Sequence, residues 1–260
     1  MHSRSKNITA PAATSCHTVP MYGAFRSASR LFGRDTRMGS PQRLSVPVAS
    51  LHRVDTVWMT ALAAVAQALN EDHLDWMLLG SAATALRGAE IEPGDVDIAT
   101  NSAVDVTRAA TLLPTPDSRD TSDCASDWIS TTTEPTLALG DADERWTFGR
   151  WIIHGVKVEL AYIEAPTVTD LLLETRSPRA WAERDILRCH GQSVPTVPIE
   201  VQLATMIARG QDDRVRATLD AIDVNPERLR RAISDKRVEV PDLSVPDQVR
   251  KLLPQGSSGC

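Results

Sequence analysis

WMLLGSAATALRGAEIEPGDVDIATN, residues 76–101, holds two signals side by side. Trp76, Met77, Leu78 and Leu79 form a short apolar run that stops at Gly80 and Ser81, and an alanine-rich segment follows as far as Arg87. A strand that breaks at Gly-Ser and turns into a helix presents backbone N–H groups and the positive end of a helix dipole, which suits a phosphate. Ser81 is placed to cap that helix and offers a hydroxyl. Pro93-Gly94 then marks a turn, and Asp95, Val96, Asp97 and Ile98 alternate acid with apolar residue. On a strand, side chains two apart share a face, so Asp95 and Asp97 point together while Val96 and Ile98 pack on the other side. Two carboxylates held that close repel unless a cation lies between them, and hard oxygen ligands favour Mg²⁺. The plain alternative is an ordinary strand–helix–strand fragment whose two aspartates face water.

Further along, residues 145–153 and 156–163 are two alternating runs joined by His154-Gly155, the pattern of a hairpin. In the second run Val156, Val158, Leu160 and Tyr162 share one face, and Lys157, Glu159, Ala161 and Ile163 share the other. Glu159 is either a surface acid paired with Lys157 or Arg150, or a third carboxylate beside Asp95 and Asp97; Glu164 is the fallback for that role.

Gly80-Ser81, Arg87 and Asp95-Val96-Asp97-Ile98 together resemble the signature of the polymerase-beta-like nucleotidyltransferase superfamily. That signature is an apolar strand, Gly-Gly or Gly-Ser, a short helix, then Asp-apolar-Asp-apolar on the next strand. The small prokaryotic members, antibiotic adenylyltransferases and nucleotidyltransferase toxins, are nearest in style. The resemblance implies an α/β (α+β) fold, a mixed sheet flanked by helices with a mainly helical C-terminal part. It implies a Mg²⁺-dependent enzyme that moves a nucleoside monophosphate from an NTP, ATP first among the donors, to a hydroxyl and releases pyrophosphate. Asp95 and Asp97 are then expected to hold two Mg²⁺ ions. A third acid comes from a later strand in an apolar-acid-apolar setting, which Val158-Glu159-Leu160 matches, as metal ligand or general base. Gly80 and Ser81 would position the β- and γ-phosphates. Arg87 either contacts phosphate or pairs with Glu90 or Glu92.

A second landmark follows, where Val197-Pro198-Ile199-Glu200 opens a helix that ends in Arg209-Gly210-Gln211-Asp212-Asp213. Relatives often carry a lysine in this helix, whereas no lysine lies between Lys157 and Lys236 here. Arg209 or Arg214 is the expected substitute at the triphosphate. The acceptor is a small molecule, or an RNA or protein hydroxyl; the toxin branch would add tRNA or an antitoxin as partner. Two other readings remain: a non-catalytic nucleotide- or partner-binding module that kept the fold, and a metal-dependent phosphohydrolase.

Composition sets the limits. The 260 residues are 42% hydrophobic and 24% charged, enough for a sizeable core. No run approaches the roughly 18 apolar residues of a membrane span. Residues 1–50 carry seven Lys/Arg against one acid, net +6, while the rest carry 21 against 33, net −12. An acidic body argues against broad nucleic-acid binding through phosphate neutralisation and accommodates a small cationic acceptor. Cys16, Cys124, Cys189 and Cys260 match neither a zinc site nor a disulfide framework, which points to a reduced, cytoplasmic protein.

The expected organisation is a disordered basic segment over residues 1–48, a catalytic core over 49–165, a mainly helical part over 166–237 and a flexible tail over 238–260. The opening segment has either a transit-peptide-like composition or an over-extended start, with Met38 near its end. Helices are expected over 54–69, 101–113, 169–175, 199–209, 214–222 and from Pro226 through Ile233. Strands are expected over 128–133 and in a second hairpin around His190-Gly191. Asp117, Asp120, Asp123 and Asp127 lie in a polar, Pro-containing loop and read as solvated.

Overall fold

β1 (Trp76–Leu79) is buried along its whole length, with Trp76, Met77 and Leu78 at 1% exposure or less. An uninterrupted apolar strand of this kind belongs inside a sheet covered on both faces. The computed structural model describes residues 56–117, 128–140, 144–164, 171–174 and 177–253. The basic opening segment therefore lies outside the described residues, as do Asp120, Asp123 and Asp127.

In chain order the elements are α1 (Val57–Glu71), β1, α2 (Gly80–Leu86), β2 (Val96–Thr100), α3 (Ala103–Leu112), β3 (Leu137–Gly140), β4 (Arg145–Ile153) and β5 (Val156–Glu164). Then come α4 (Pro178–Ala182), β6 (Asp185–Cys189), β7 (Gln192–Thr196), α5 (Ile199–Ala208), α6 (Asp212–Ala221), α7 (Pro226–Glu239) and α8 (Asp247–Arg250). The strands form one mixed α/β sheet of seven, in the order β3-β4-β5-β2-β1-β7-β6. β2 runs parallel to β5 and β1 parallel to β7; the other neighbours are antiparallel. No helix is long and apolar enough to cross a membrane among the described residues.

Local signals explain most boundaries. Ser102 caps α3 by accepting from the Asp105 N–H, and Asn225 caps α7 by accepting from Arg228, with Pro226 in the first turn. His154-Gly155 and His190-Gly191 all have positive φ, as the two-residue turns of tight hairpins require. The apolar faces of α1, α3, β2 and β5 meet in one cluster that includes Leu62, Val65, Ala109, Val96, Ile98, Val158 and Leu160.

Four expectations change. α2 begins at Gly80, with Leu79 as its N-cap, so Ser81 lies inside the first turn and does not cap it. Residues 128–133 form no strand: the Ser130 N–H donates to the Arg150 carbonyl and Thr131 turns back to Glu134, leaving β3 to pair with β4. Residues 171–174 are not helical, because Leu172 and Leu173 drop into the core and the Leu172 N–H donates to Asp235. After Val238 the chain stays packed through residue 253, with Leu243, Val245 and Val249 buried, where a frayed tail was expected. The β6–β7 hairpin, beyond the expected core boundary at 165, extends the same sheet beside β1.

Arg87, at the C-terminal end of α2, ties these parts together. Its guanidinium donates to the carbonyls of Ala83 (2.9 Å) and Val197 (2.6 Å) and to the Asp185 carboxylate (2.7 Å), joining α2 to β6 and to the entry of α5. Its side chain is 7% exposed. Replacing Arg87 by alanine is expected to cost about 1.5–3 kcal/mol, the range for hydrogen bonds to a charged group. Urea denaturation would show this as a lower midpoint, with Mn²⁺ affinity unchanged; a lost metal or nucleotide affinity at unaltered stability would place Arg87 in the site instead.

Candidate active site

The register of four adjacent strands builds the site. Leu79 on β1 pairs with Asp97 on β2, Asp97 pairs with Glu159 on β5, and Glu159 pairs with Arg150 on β4. Directly paired residues present their side chains on the same face, so Asp97, Glu159 and Arg150 form a row across the sheet. Lys157, two residues earlier on β5, stands on that face as well, and Asp95, in the bend just before β2, reaches the Lys157 ammonium there. One carboxylate oxygen from each of Asp95, Asp97 and Glu159 can be chosen so that all lie within 4.8 Å of one another. The intervening residues Val96, Ile98, Val158 and Leu160 anchor the opposite face in the apolar core.

Two cations serve this cluster. The Arg150 Nε donates to Glu159 Oε1 at 2.8 Å, and the Lys157 Nζ lies 3.2 Å from the same oxygen and 3.0 Å from Asp95 Oδ2. Glu159 is thus both the buried third acid and the partner of Lys157 and Arg150, at 6% exposure. Burial pushes the Asp97 carboxyl well above the ordinary carboxylate range, and the charges of Asp95 and Glu159 push it further. Lys157 and Arg209 act against that rise, which brings Arg209, at the end of α5, into electrostatic reach of Asp97. For Lys157, burial alone would lower the pKa, but Glu159 and Asp95 outweigh it and hold the ammonium above its usual value.

Gly80 closes the site from the β1 side. It has φ +66°, and a Cβ there would sit 2.4 Å from Asp97 Oδ2. Only glycine allows both that backbone and so close an approach. Its N–H donates to Gln202 Oε1 on α5 at 3.1 Å, so α5 is fastened to the turn beside the acids. Ser81 is buried in the same turn. Glu200, which opens α5, accepts from the Asn225 N–H at 2.8 Å and so links α5 to the start of α7.

The expected residues thus separate into groups. Asp95, Asp97 and Glu159 converge, Gly80 and Ser81 adjoin them, and Arg209 acts on Asp97 through its charge. Arg87 points its hydrogen bonds into the fold, and its partner is Asp185, where Glu90 or Glu92 was expected. Glu164 pairs with Arg145 at 3.0 Å, its side chain 56% exposed, away from the row formed by Glu159. Lys157 as a bridge between two acids, and Gln202 as the latch on Gly80, were not read from the sequence. The period-two spacing of Lys157 and Glu159 contained the first; nothing local marked the second.

The donor set fits a hard divalent cation. It offers three carboxylates, and burial together with the charges of two of them drives the third toward protonation, a condition that a cation between them relieves.

No family model and no curated protein matches the sequence. The fold resembles solved structures described as nucleotidyltransferases. A candidate nucleotidyltransferase from Thermotoga maritima is 19% identical with a TM-score of 0.45, over 65% of this chain and 95% of that one. An antigenic nucleotidyltransferase-like protein from Paracoccidioides brasiliensis is 18% identical with a TM-score of 0.40, over 79% and 96%. The antibiotic-resistance factor ANT(2'')-Ia in solution is 11% identical with a TM-score of 0.43, over 73% and 96%. At these values the likeness is one of general arrangement, and the chemistry has to come from the residues of this chain.

Proposed function

We propose that the chain is a divalent-metal-dependent nucleotidyltransferase that moves a nucleoside monophosphate from an NTP to a hydroxyl acceptor and releases pyrophosphate. ATP is the first candidate donor. The observation that carries this reading is the convergence of Asp95, Asp97 and Glu159 on one sheet face beside the Gly80 turn. The acceptor oxygen would attack the α-phosphorus, the bond from that phosphorus to the β-bridging oxygen would break, and the hydroxyl proton would leave to solvent or a nearby base.

Asp95, Asp97 and Glu159 are the residues that would hold Mg²⁺. Bound there, the ion would supply Lewis-acid neutralisation of phosphate charge. The chain's own residues do the rest. Asp97 and Asp95 give the anionic floor, and Gly80 keeps the space above Asp97 open by lacking a side chain. Arg209 is the candidate for the donor phosphates, since it stands on α5 within electrostatic reach of Asp97. The buried turn at Gly80 and Ser81 borders the position assigned to the β- and γ-phosphates. Glu159, already accepting from Arg150, is assigned to the acid cluster and not to the base.

The second reading is a binding module without turnover. The neutralisation of Glu159 and Asp95 by Lys157 and Arg150 favours it, because those acids have cations even without metal. Incubation with each of the four α-³²P-labelled NTPs, Mg²⁺ and a panel of aminoglycosides, total tRNA and protein acceptors separates the readings. The expected outcome is a labelled acceptor with equimolar pyrophosphate. Asp97→Asn is expected to lower the rate by roughly 10²- to 10³-fold, the equivalent of the several kcal/mol that a Lewis-acid ion supplies. Nucleotide binding with no labelled acceptor supports the module, and inorganic phosphate without adduct supports a phosphohydrolase.

Asp97 also sets a pH dependence. Its folded pKa is raised, so its contribution to stability is present at low pH and is lost as pH rises from the carboxylate range through the raised value. In chelator, thermal melts of the wild type are expected to fall over that window, while Asp97→Asn stays level. The stabilisation by Mg²⁺ should grow with pH over the same window in the wild type, because metal and proton compete for the carboxylate. A Mg²⁺ effect independent of pH would remove Asp97 from the metal site.

A further inference from the structure

Resting on that reading, we infer that Lys157 fills one of the two cation positions expected of the site, so the chain takes a single divalent ion where two were expected. The placement is built by the strands themselves. Lys157 and Glu159 share a face of β5, and the parallel register begins at Val96 with Val158, so Asp95, in the bend just before β2, comes beside Lys157. The ammonium lies 3.0 Å from Asp95 Oδ2 and 3.2 Å from Glu159 Oε1, bridging the first and third acids. A fixed positive charge thus already stands between two of the three acids.

Charge points the same way. Three carboxylates are met by Lys157 and Arg150, so two of the three negative charges are already compensated by the fold. One divalent ion on the Asp95–Asp97 side makes the cluster slightly positive, as a triphosphate requires. A second ion beside Glu159 would have to sit against two fixed cations or expel the Lys157 ammonium from its two partners. Burial strengthens that repulsion, because Glu159 and Arg150 are both shielded from water. Lys157 therefore supplies, as part of the chain, the charge that the ion nearest the third acid would bring. Glu159, a member of the acid cluster, also holds the Lys157 ammonium in place through Oε1.

Electron paramagnetic resonance of the full chain with Mn²⁺ and each of the four α,β-methylene nucleoside triphosphates tests this independently of turnover. Two manganese ions about 3.5–4 Å apart couple magnetically, whereas one ion gives an isolated six-line spectrum. The wild type is expected to show the uncoupled spectrum with one bound ion per chain. Lys157→Ala, with the ammonium removed, is expected to show the coupled pair and two ions, and Lys157→Arg, with the charge kept, to remain uncoupled. A coupled pair in the wild type overturns the inference while leaving the nucleotidyltransferase reading intact. An uncoupled spectrum in Lys157→Ala, with one ion per chain, also overturns it. Absence of any bound Mn²⁺ in the wild type with all four nucleotides overturns the reading on which it rests, and the inference with it.

Discussion

Repulsion between carboxylates is the constraint around which the centre of this protein is arranged. Two unit charges about 4 Å apart interact by about 4 kcal/mol at the effective dielectric of a protein surface, against a total stability of roughly 5–15 kcal/mol for a domain. Oxygens of Asp95, Asp97 and Glu159 lie within 4.8 Å of one another on or beside strands that the core does not allow to separate, because Val96, Ile98, Val158 and Leu160 are buried on the reverse side. The charge must then be removed by protonation or balanced by cations. Both occur: Asp97 is driven toward its neutral form, and Lys157 and Arg150 are drawn onto the other two acids. Carboxylates perturbed by burial and by one another cluster at functional sites, and that is the physical basis of the role proposed for these three.

The second constraint is space. β1 and β2 are antiparallel neighbours, and the register of Leu79 with Asp97 brings the strand end directly beside the carboxylate. Any side chain at position 80 would collide with Asp97 Oδ2, so the turn that starts α2 and the acid it faces are a single geometric unit. α5 joins that unit through Gln202, and its far end brings Arg209 near enough to act on Asp97. The chain beyond β5 thereby contributes one side of the site, although every acid lies on or before β5.

Much of this was legible from residues 76–101 alone. The strand, the break at Gly80, the short helix and the alternating aspartates each follow from local pattern, and the His-Gly hairpins follow from turn chemistry. Glu159 stood out by its apolar neighbours, but its pairing with β2 is a contact across some sixty residues that no local signal encodes. The errors have the same origin. Residues 128–133 have strand composition but lose their edge to β3, and Leu172 with Leu173 reads as helix in a short apolar run because neither their burial in the core nor the Leu172 N–H bond to Asp235 leaves a local signal. Ser81 has the chemistry of a cap, but the helix starts two residues earlier than a Ser81 cap implies, at Gly80 with Leu79 as its N-cap. Arg87 was legible as a cation but not as the partner of Asp185, which lies 98 residues away.

The arrangement also explains why a Lys-x-Glu pair on β5 has more consequence than its composition implies. On an antiparallel neighbour, stepping back two residues on β5 would pair Lys157 with a residue beyond Asp97, away from Asp95. Because β2 and β5 run parallel, the same step moves both strands in the same direction and delivers Lys157 to Asp95. Strand direction thus decides whether the lysine is a solvated surface charge or a bridge between two acids of the site. The side-chain alternation that buries Val158 and Leu160 leaves Lys157 no other face to occupy. The Lys157 share of the cluster's charge balance is therefore a property of sheet topology, set by the parallel pairing of β2 and β5, while Arg150 arrives with β4.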